Sequence, residues 1–146
     1  MREDKINLWE YPADARVITT NGFVKNNGEA VMGRGCAREA ARKYPRLPLL
    51  LGDSLKASGN KTFHFWLKDH ILTMPVKHYW WEEADMDLIK KSANELIAIA
   101  NSWEFEVVAM PRPGCGNGKL DWKEVGPMLN EILDDRFVAL SYGDYS

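Results

Sequence analysis

Two glycine-rich loops and a lysine between them are the residues whose types and spacing could do chemistry. The first loop ends Val31-Met32-Gly33-Arg34-Gly35-Cys36-Ala37 and runs into a predicted helix. Glycine lets a backbone approach a ligand closely. A helix N-terminus offers unpaired N–H groups and a partial positive charge, so phosphate or pyrophosphate is the natural guest. The run is not a dinucleotide fingerprint, because Arg38 stands where its third glycine belongs. The second loop is Arg112-Pro113-Gly114-Cys115-Gly116-Asn117-Gly118-Lys119, whose alternating glycines suit a nest of N–H groups around an anion. It is not a P-loop, since Pro113 replaces the first glycine and Leu120 replaces the magnesium-holding Ser/Thr. Between the loops, Lys77 follows an apolar run and precedes His78-Tyr79-Trp80-Trp81. A desolvated lysine has a lowered pKa and serves as nucleophile or base. A tight turn for the first loop, and a solvated surface lysine, are the plain alternatives. Trp80 and Trp81 suit stacking on a base or sugar, or ordinary packing.

The elements that must position these residues alternate between strand and helix. Ile6–Trp9 and Arg16–Thr20 are rich in strand formers, and Asn21–Gly35 reads as a long loop. Helices are predicted over Cys36–Tyr44 and Leu47–Lys56, with Pro45 ending the first. Thr62–Leu67 and Ile71–Val76 read as strands joined by a turn at Lys68-Asp69. Leu88, Ala93, Leu96, Ile97 and Ala100 place a helix over Asp85–Trp103. Phe105–Met110 suits a strand covered on both faces. Asp121 is a predicted N-cap, with Glu124 completing a capping-box pattern for a helix to about Asp135 that Pro127 must disturb. Phe137–Ser141 closes as a strand. The pattern predicts an α/β sandwich with ligands at the carboxyl ends of its strands.

Composition bounds the rest. The chain's 146 residues fit one domain, expected over 1–146, and 45% hydrophobic with 27% charged residues argues against disorder. Nineteen basic against 21 acidic side chains give a net charge of −2, so bulk electrostatic attraction to nucleic acid is not expected. Two cysteines are too few for a disulfide framework or a cysteine-based zinc site, and His64, His70 and His78 show no metal spacing. His64 and His70 are expected to be structural. No signal peptide opens the chain and no apolar run approaches a membrane span. A reduced, cytoplasmic protein with no membrane partner is the expectation.

Taken in order, Asn21, Val31–Ala37, the P-x-K-x-x-W run from Pro75 to Trp80, and the G-C-G-N-G-x-L-D-W run from Gly114 to Trp122 resemble a macrodomain. The likeness spans Ile6 to Tyr142. Within the family the chain is most similar to the DarG-like branch, antitoxins that remove ADP-ribose from DNA. A related branch cleaves terminal ADP-ribose from glutamate on proteins. The resemblance implies a three-layer α/β/α sandwich with a mixed six-stranded sheet and a cleft for ADP-ribose between the two loops.

Residue by residue, it places Asn7 and Leu8 at the adenine end. Thr20, Asn21, Val31, Met32, Gly33, Gly35, Cys36 and Ala37 match the first side of the cleft. Arg112, Pro113, Gly114, Cys115, Gly116, Asn117 and Gly118 match the second. Lys77 matches the catalytic lysine, which attacks or activates the anomeric carbon of the distal ribose. Three departures stand out. Asn7 replaces the usual Asp. Gly118 replaces the catalytic Asp of the protein-directed branch, as in the DarG-like branch. The loop from Asn21 to Met32 is longer than usual, and such length beside a site can serve as a lid or specificity element. The chain ends soon after the closing strand, so no further antitoxin domain is expected.

Three functions follow. One is a hydrolase removing ADP-ribose from a DNA base or protein carboxylate through Lys77. Another is a reader of ADP-ribose without chemistry, and the last a phosphatase acting on ADP-ribose 1″-phosphate. None needs a cofactor; ADP-ribose enters as ligand or product. The implied partner is ADP-ribose or an ADP-ribosylated macromolecule, ADP-ribosylated DNA among them.

Overall fold

A computed structural model describes residues 1–141; the likeness expected at Tyr142 lies outside the described residues. In chain order the elements are β1 (Arg2–Asp4), β2 (Ala15–Asn21), α1 (Gly35–Lys43), α2 (Leu47–Ser58), β3 (His64–Trp66) and β4 (His70–Lys77). They continue as α3 (Met86–Trp103), β5 (Val108–Met110), α4 (Trp122–Asn130) and β6 (Phe137–Leu140). The strands form one six-stranded sheet in the order β1-β6-β5-β2-β4-β3. All pairings are parallel except β3 with β4.

Alternation along the strands fixes the layers, because successive side chains point to opposite faces. Val17, Leu72, Val108, Met110 and Ala139 join Ile89, Ala93 and Leu96 of α3 and Val125 and Leu129 of α4 in one core. Their neighbours Ile18, Ile71, Ala109 and Val138 join Ala37 and Ala40 of α1 and Leu47, Leu51 and Leu55 of α2 in the other. Helices therefore cover both faces, and the fold is the expected three-layer mixed sandwich. Because the central strands β5, β2 and β4 run parallel, their carboxyl ends reach the same edge.

Two elements differ from expectation near the N-terminus. Ile6–Trp9 is not a strand. The Asn7 side chain accepts from Trp9 N at 2.8 Å while its carbonyl accepts from Glu10 N and Tyr11 N, which coils the segment into a turn. Leu8 is thereby driven fully into the core beside Met32 and Cys36. The edge strand is instead Arg2–Asp4, all exposed and all charged, a composition that protects a sheet edge from stray pairing.

Elsewhere the boundaries shift. Strand β5 begins only at Val108 because the Asp14 carboxylate takes Glu106 N and Val107 N. Helix α4 tolerates Pro127 but stops at Asn130 rather than Asp135. Leu129 O there accepts from both Ile132 N and Leu133 N as the last turn loosens.

Candidate functional site

Three strand ends build the site. Strand β2 delivers Thr19, Thr20 and Asn21; β4 delivers Val76 and Lys77; the loop after β5 delivers Asn117. These residues, with Val31, Met32, Gly33, Arg34, Ala37 and Trp80, line a cavity of about 180 Å³. The pairing of β2 with β4 slips between Thr20 and Asn21, so that Thr20 faces Pro75 but Asn21 faces Lys77. That irregularity re-aims the strand end, a common use of bulges beside sites.

Asn21 then organises the first loop. Its amide donates to Val31 O at 3.2 Å and accepts from Phe23 N at 2.9 Å. The long segment between them is a small hairpin, with Val24 bridged to Ala30 and Gly28 N donating to Lys25 O. The hairpin lies against α2: Ala30 N donates to Pro48 O at 2.9 Å. At Gly52 a Cβ would fall 1.9 Å from Gly28 O, so the approach of α2 to the hairpin needs a glycine there.

Helix α1 begins at this loop. Its N-cap, Arg34, makes no side-chain capping bond, and its first turn holds no acidic residue. The helix therefore opens toward the cavity with its first N–H groups uncapped by a side chain and with a guanidinium alongside, a disposition suited to an anion.

Lys77 is half-buried at the end of β4, and its Nζ donates to Asn117 O at 3.3 Å. Asn60 Nδ2 donates to Lys77 O at 3.0 Å, and Gly22 N donates to His78 O, which pins the backbone on either side of the amine. Burial lowers the Lys77 pKa below the ordinary lysine value, and the positive charges of Arg34 and then Lys119 lower it further. The amine thus carries more neutral form than a solvated lysine, and a neutral amine is a nucleophile.

The second loop closes on itself through Leu120 N to Gly114 O at 2.9 Å and Lys119 N to Gly116 O at 3.1 Å. Gly118 is buried. A Cβ on it would lie 2.5 Å from Gly114 O and 2.8 Å from the Ala84 Cβ. The position that holds an Asp in the protein-directed branch has no room here for a side chain.

Of the residues singled out from the sequence, Thr20, Asn21, Val31, Met32, Gly33, Ala37, Lys77 and Asn117 converge on the cavity. Gly35, Pro113, Gly114, Cys115, Gly116 and Gly118 shape its loops without lining it. Leu8 and Cys36 stand behind the wall with no exposed surface. The Cys36 thiol lies 3.6 Å from Thr19 Oγ1, and burial pushes its pKa up to about 11. Burial likewise raises Cys115 to about 11, its Sγ lying 3.5 Å from Pro113 O. Asn7 spends its side-chain oxygen on Trp9 N. Arg112 turns away from the cavity, its guanidinium over the Trp122 ring at 5.0 Å and its Nη2 3.5 Å from Glu3.

Arg34, Thr19 and Val76 line the cavity without having been singled out as site residues. Arg34 carried a signal, a cation between the two glycines of an anion loop; Thr19 and Val76 carried none beyond their place on strands. Trp80, expected either to stack on a base or sugar or simply to pack, forms part of the wall. His64 and His70 lie far from the cavity along β3 and the start of β4 and meet at 2.8 Å, Nε2 to Nδ1. Among the described residues no cluster of His, Cys, Asp or Glu could hold a metal, and no helix is long and apolar enough to cross a membrane.

Comparison with known proteins agrees with this geometry. A family model described as Macro domain matches residues 26–129. The macrodomain of Mycobacterium tuberculosis DarG superposes with a TM-score of 0.80 at 26% identity, over 95% of each chain. The macrodomain of Thermus aquaticus DarG gives 0.81 at 24% identity, over 99% of this chain and 97% of that one. A curated Thermus aquaticus protein named DNA ADP-ribosyl glycohydrolase is 25% identical over 136 residues, covering 88% of this chain but 36% of its own. Its Mycobacterium tuberculosis namesake is 28% identical over 111 residues, covering 70% of this chain and 32% of its own. The chain thus spans about a third of the length of these curated relatives. With its sandwich, its two loops and a family match over most of its length, the chain belongs to the macro domain family.

Proposed function

We propose that this chain removes ADP-ribose from a modified DNA base, with Lys77 acting at the anomeric carbon of the distal ribose. The observation that carries the reading is the Lys77 amine. It is partly desolvated, repelled by Arg34, and sits in one cavity with the start of α1 and with Asn117. The diphosphate would lie at the α1 N-terminus beside Arg34, where helix dipole and guanidinium both favour negative charge. The distal ribose would then face the amine.

In the chemical step the neutral amine attacks the anomeric carbon. The glycosidic bond breaks, its electron pair leaves with the acceptor, and the acceptor takes up the proton that the newly alkylated amine gives up. Water then cleaves the new C–N bond, returning the amine and free ADP-ribose. Two observations favour a DNA acceptor over a protein carboxylate. Relatives spanning most of this chain are named DNA ADP-ribosyl glycohydrolases, and Gly118 leaves no room for an Asp. The reading extends to an antitoxin-like, cytoplasmic enzyme.

The test is release measured side by side on ADP-ribosylated DNA, ADP-ribosylated protein and ADP-ribose 1″-phosphate, with calorimetry on ADP-ribose. Release from DNA, abolished in Lys77→Ala while ADP-ribose binding persists, is the expected outcome. Binding without release from any substrate would make the chain a reader. Phosphate release untouched by Lys77→Ala would make it a phosphatase.

A further inference from the structure

We propose that the rings of Tyr79 and Trp81 form a stacking platform for an unpaired nucleobase next to the one that carries ADP-ribose. The inference rests on the hydrolase reading above and names its acceptor-side contact. Beyond Lys77 the chain turns sharply. Tyr79 N donates to the Glu82 carboxylate at 3.0 Å and Glu82 N returns to Tyr79 O at 3.1 Å. The turn throws three aromatic side chains outward, with Tyr79 47%, Trp80 49% and Trp81 58% exposed. None belongs to either hydrophobic core.

Their arrangement is nonetheless ordered. Tyr79 and Trp81 lie nearly parallel, 14° apart with centroids 4.8 Å apart. Phe23, held by the Asn21 side chain at the base of the hairpin, meets both rings edge-on at 6.4 and 5.6 Å. The Trp80 ring stands perpendicular to Trp81 at 5.4 Å and lines the cavity that holds Lys77. A continuous aromatic surface therefore runs from the mouth of the cavity out to solvent. It begins where the acceptor must leave the anomeric carbon.

Tyr79 and Trp81 stack on each other, so each turns one face inward. The outer face left at the end of that stack fits a nucleobase, because stacking on aromatic rings holds single strands and tolerates any base. Charge adds no attraction, so the stack must supply it. The chain carries a net charge of −2, and Glu82, Glu83 and Asp85 flank the platform, so phosphate attraction is not what holds a strand there. A base inside a duplex has both faces covered by its neighbours, so the guest is an unpaired one.

The experiment compares KM and kcat for a single-stranded oligodeoxynucleotide carrying one ADP-ribosylated base, for the isolated ADP-ribosylated nucleoside, and for an ADP-ribosylated protein. Wild type is expected to show a lower KM for the oligonucleotide than for the nucleoside, nearly unchanged between 50 and 200 mM salt. The Tyr79→Ala/Trp81→Ala variant is expected to raise the oligonucleotide KM about 5- to 100-fold, the span of one lost stacking contact. Its kcat on the nucleoside should stay at the wild-type value. Trp81→Phe should recover most of the loss, and Trp81→Gln provides a gentler variant should the double one fold poorly. An oligonucleotide KM unchanged in these variants removes the platform and leaves the hydrolase reading intact. An equal KM rise on the protein substrate overturns the nucleobase assignment. Absence of release by wild type from both nucleic-acid substrates removes the hydrolase reading and the platform together.

Discussion

The amine of Lys77 donates to the carbonyl of Asn117 at 3.3 Å across forty residues of sequence. Strand β4 and the loop after β5 are thus joined at the Lys77 amine itself. In the proposed mechanism the attacking form is the neutral amine, so turnover should climb with pH through the Lys77 pKa, below the usual lysine value of about 10.4. Burial is the first cause of the lowering, with Arg34 and Lys119 adding repulsion. Lys119 does not line the cavity, and Lys119→Gln removes one positive neighbour. The rising limb of the kcat–pH profile is expected to move to higher pH in that variant. An unmoved limb would separate the titrating group from Lys77.

Asn60 holds Lys77 in register without touching the cavity. Its amide donates to Lys77 O at 3.0 Å, and it fills the space beside Gly22, where a Cβ would lie 2.8 Å from Asn60 Cγ. Asn60→Asp keeps the shape and loses the donor. A misplaced catalytic group costs up to about a hundredfold in rate. The expected result is a kcat lowered about tenfold with ADP-ribose affinity within about twofold of wild type. A matching loss of affinity would make Asn60 a general structural support rather than a positioning residue.

The sequence disclosed the fold through periodicity and the site through glycine and lysine. Helix α3 was legible to within a residue because its apolar stripe is regular and Asp85 caps it, accepting from Asp87 N and Leu88 N. Strand β1 was invisible because Arg2, Glu3 and Asp4 gain their strand from backbone pairing with β6, with no apolar face to announce it. Ile6–Trp9 misled for the opposite reason, as Leu8 is a buried plug in a turn. In the site, residue types marked the two loops and Lys77. The wall contributed by Thr19, Val76 and Trp80 depends on which strand ends lie side by side, and strand order is not written in local spacing.

Gly118 gives a direct test of the second loop. A methyl group there meets Gly114 O and the Ala84 Cβ below contact distance. Gly118→Ala should force the loop to shift, at a cost of about 1–3 kcal/mol in stability, the range for overpacking. Gly118→Asp, which restores the residue of the protein-directed branch, should carry at least that cost and weaken ADP-ribose binding. Chemical denaturation and calorimetry read both, and a fully stable, tight-binding Asp variant would show that the loop can yield.

Asp85 links the aromatic turn to α3. One carboxylate oxygen caps the helix, while the other lies 2.9 Å from His78 Nε2. The hydrogen bond with His78, followed by the backbone donors, holds its pKa below the usual carboxylate range. A depressed carboxylate contributes stability above its unfolded pKa of about 3.9 and loses it as pH falls through the folded value. Asp85→Ala should cost about 1 kcal/mol at neutral pH, mostly from the cap, since the contact with His78 is exposed. The gap to wild type should narrow below about pH 4 in urea titrations; a constant gap would point to shape rather than charge.

The pairing of β1 with β6 sets the order in which the molecule can be completed. Of the six strands, residues 2–4 are made before the rest, yet their sheet neighbour among the described residues, at residues 138–140, is the last strand of the sheet to be made. Strands β2, β4 and β5, whose ends carry the cavity, and the loop through Asn117 are all synthesised before that partner exists. Vectorial synthesis therefore lets the edge that carries the cavity be laid down while the opposite flank is still open, and β1 must wait, unpaired and heavily charged, for β6 to arrive.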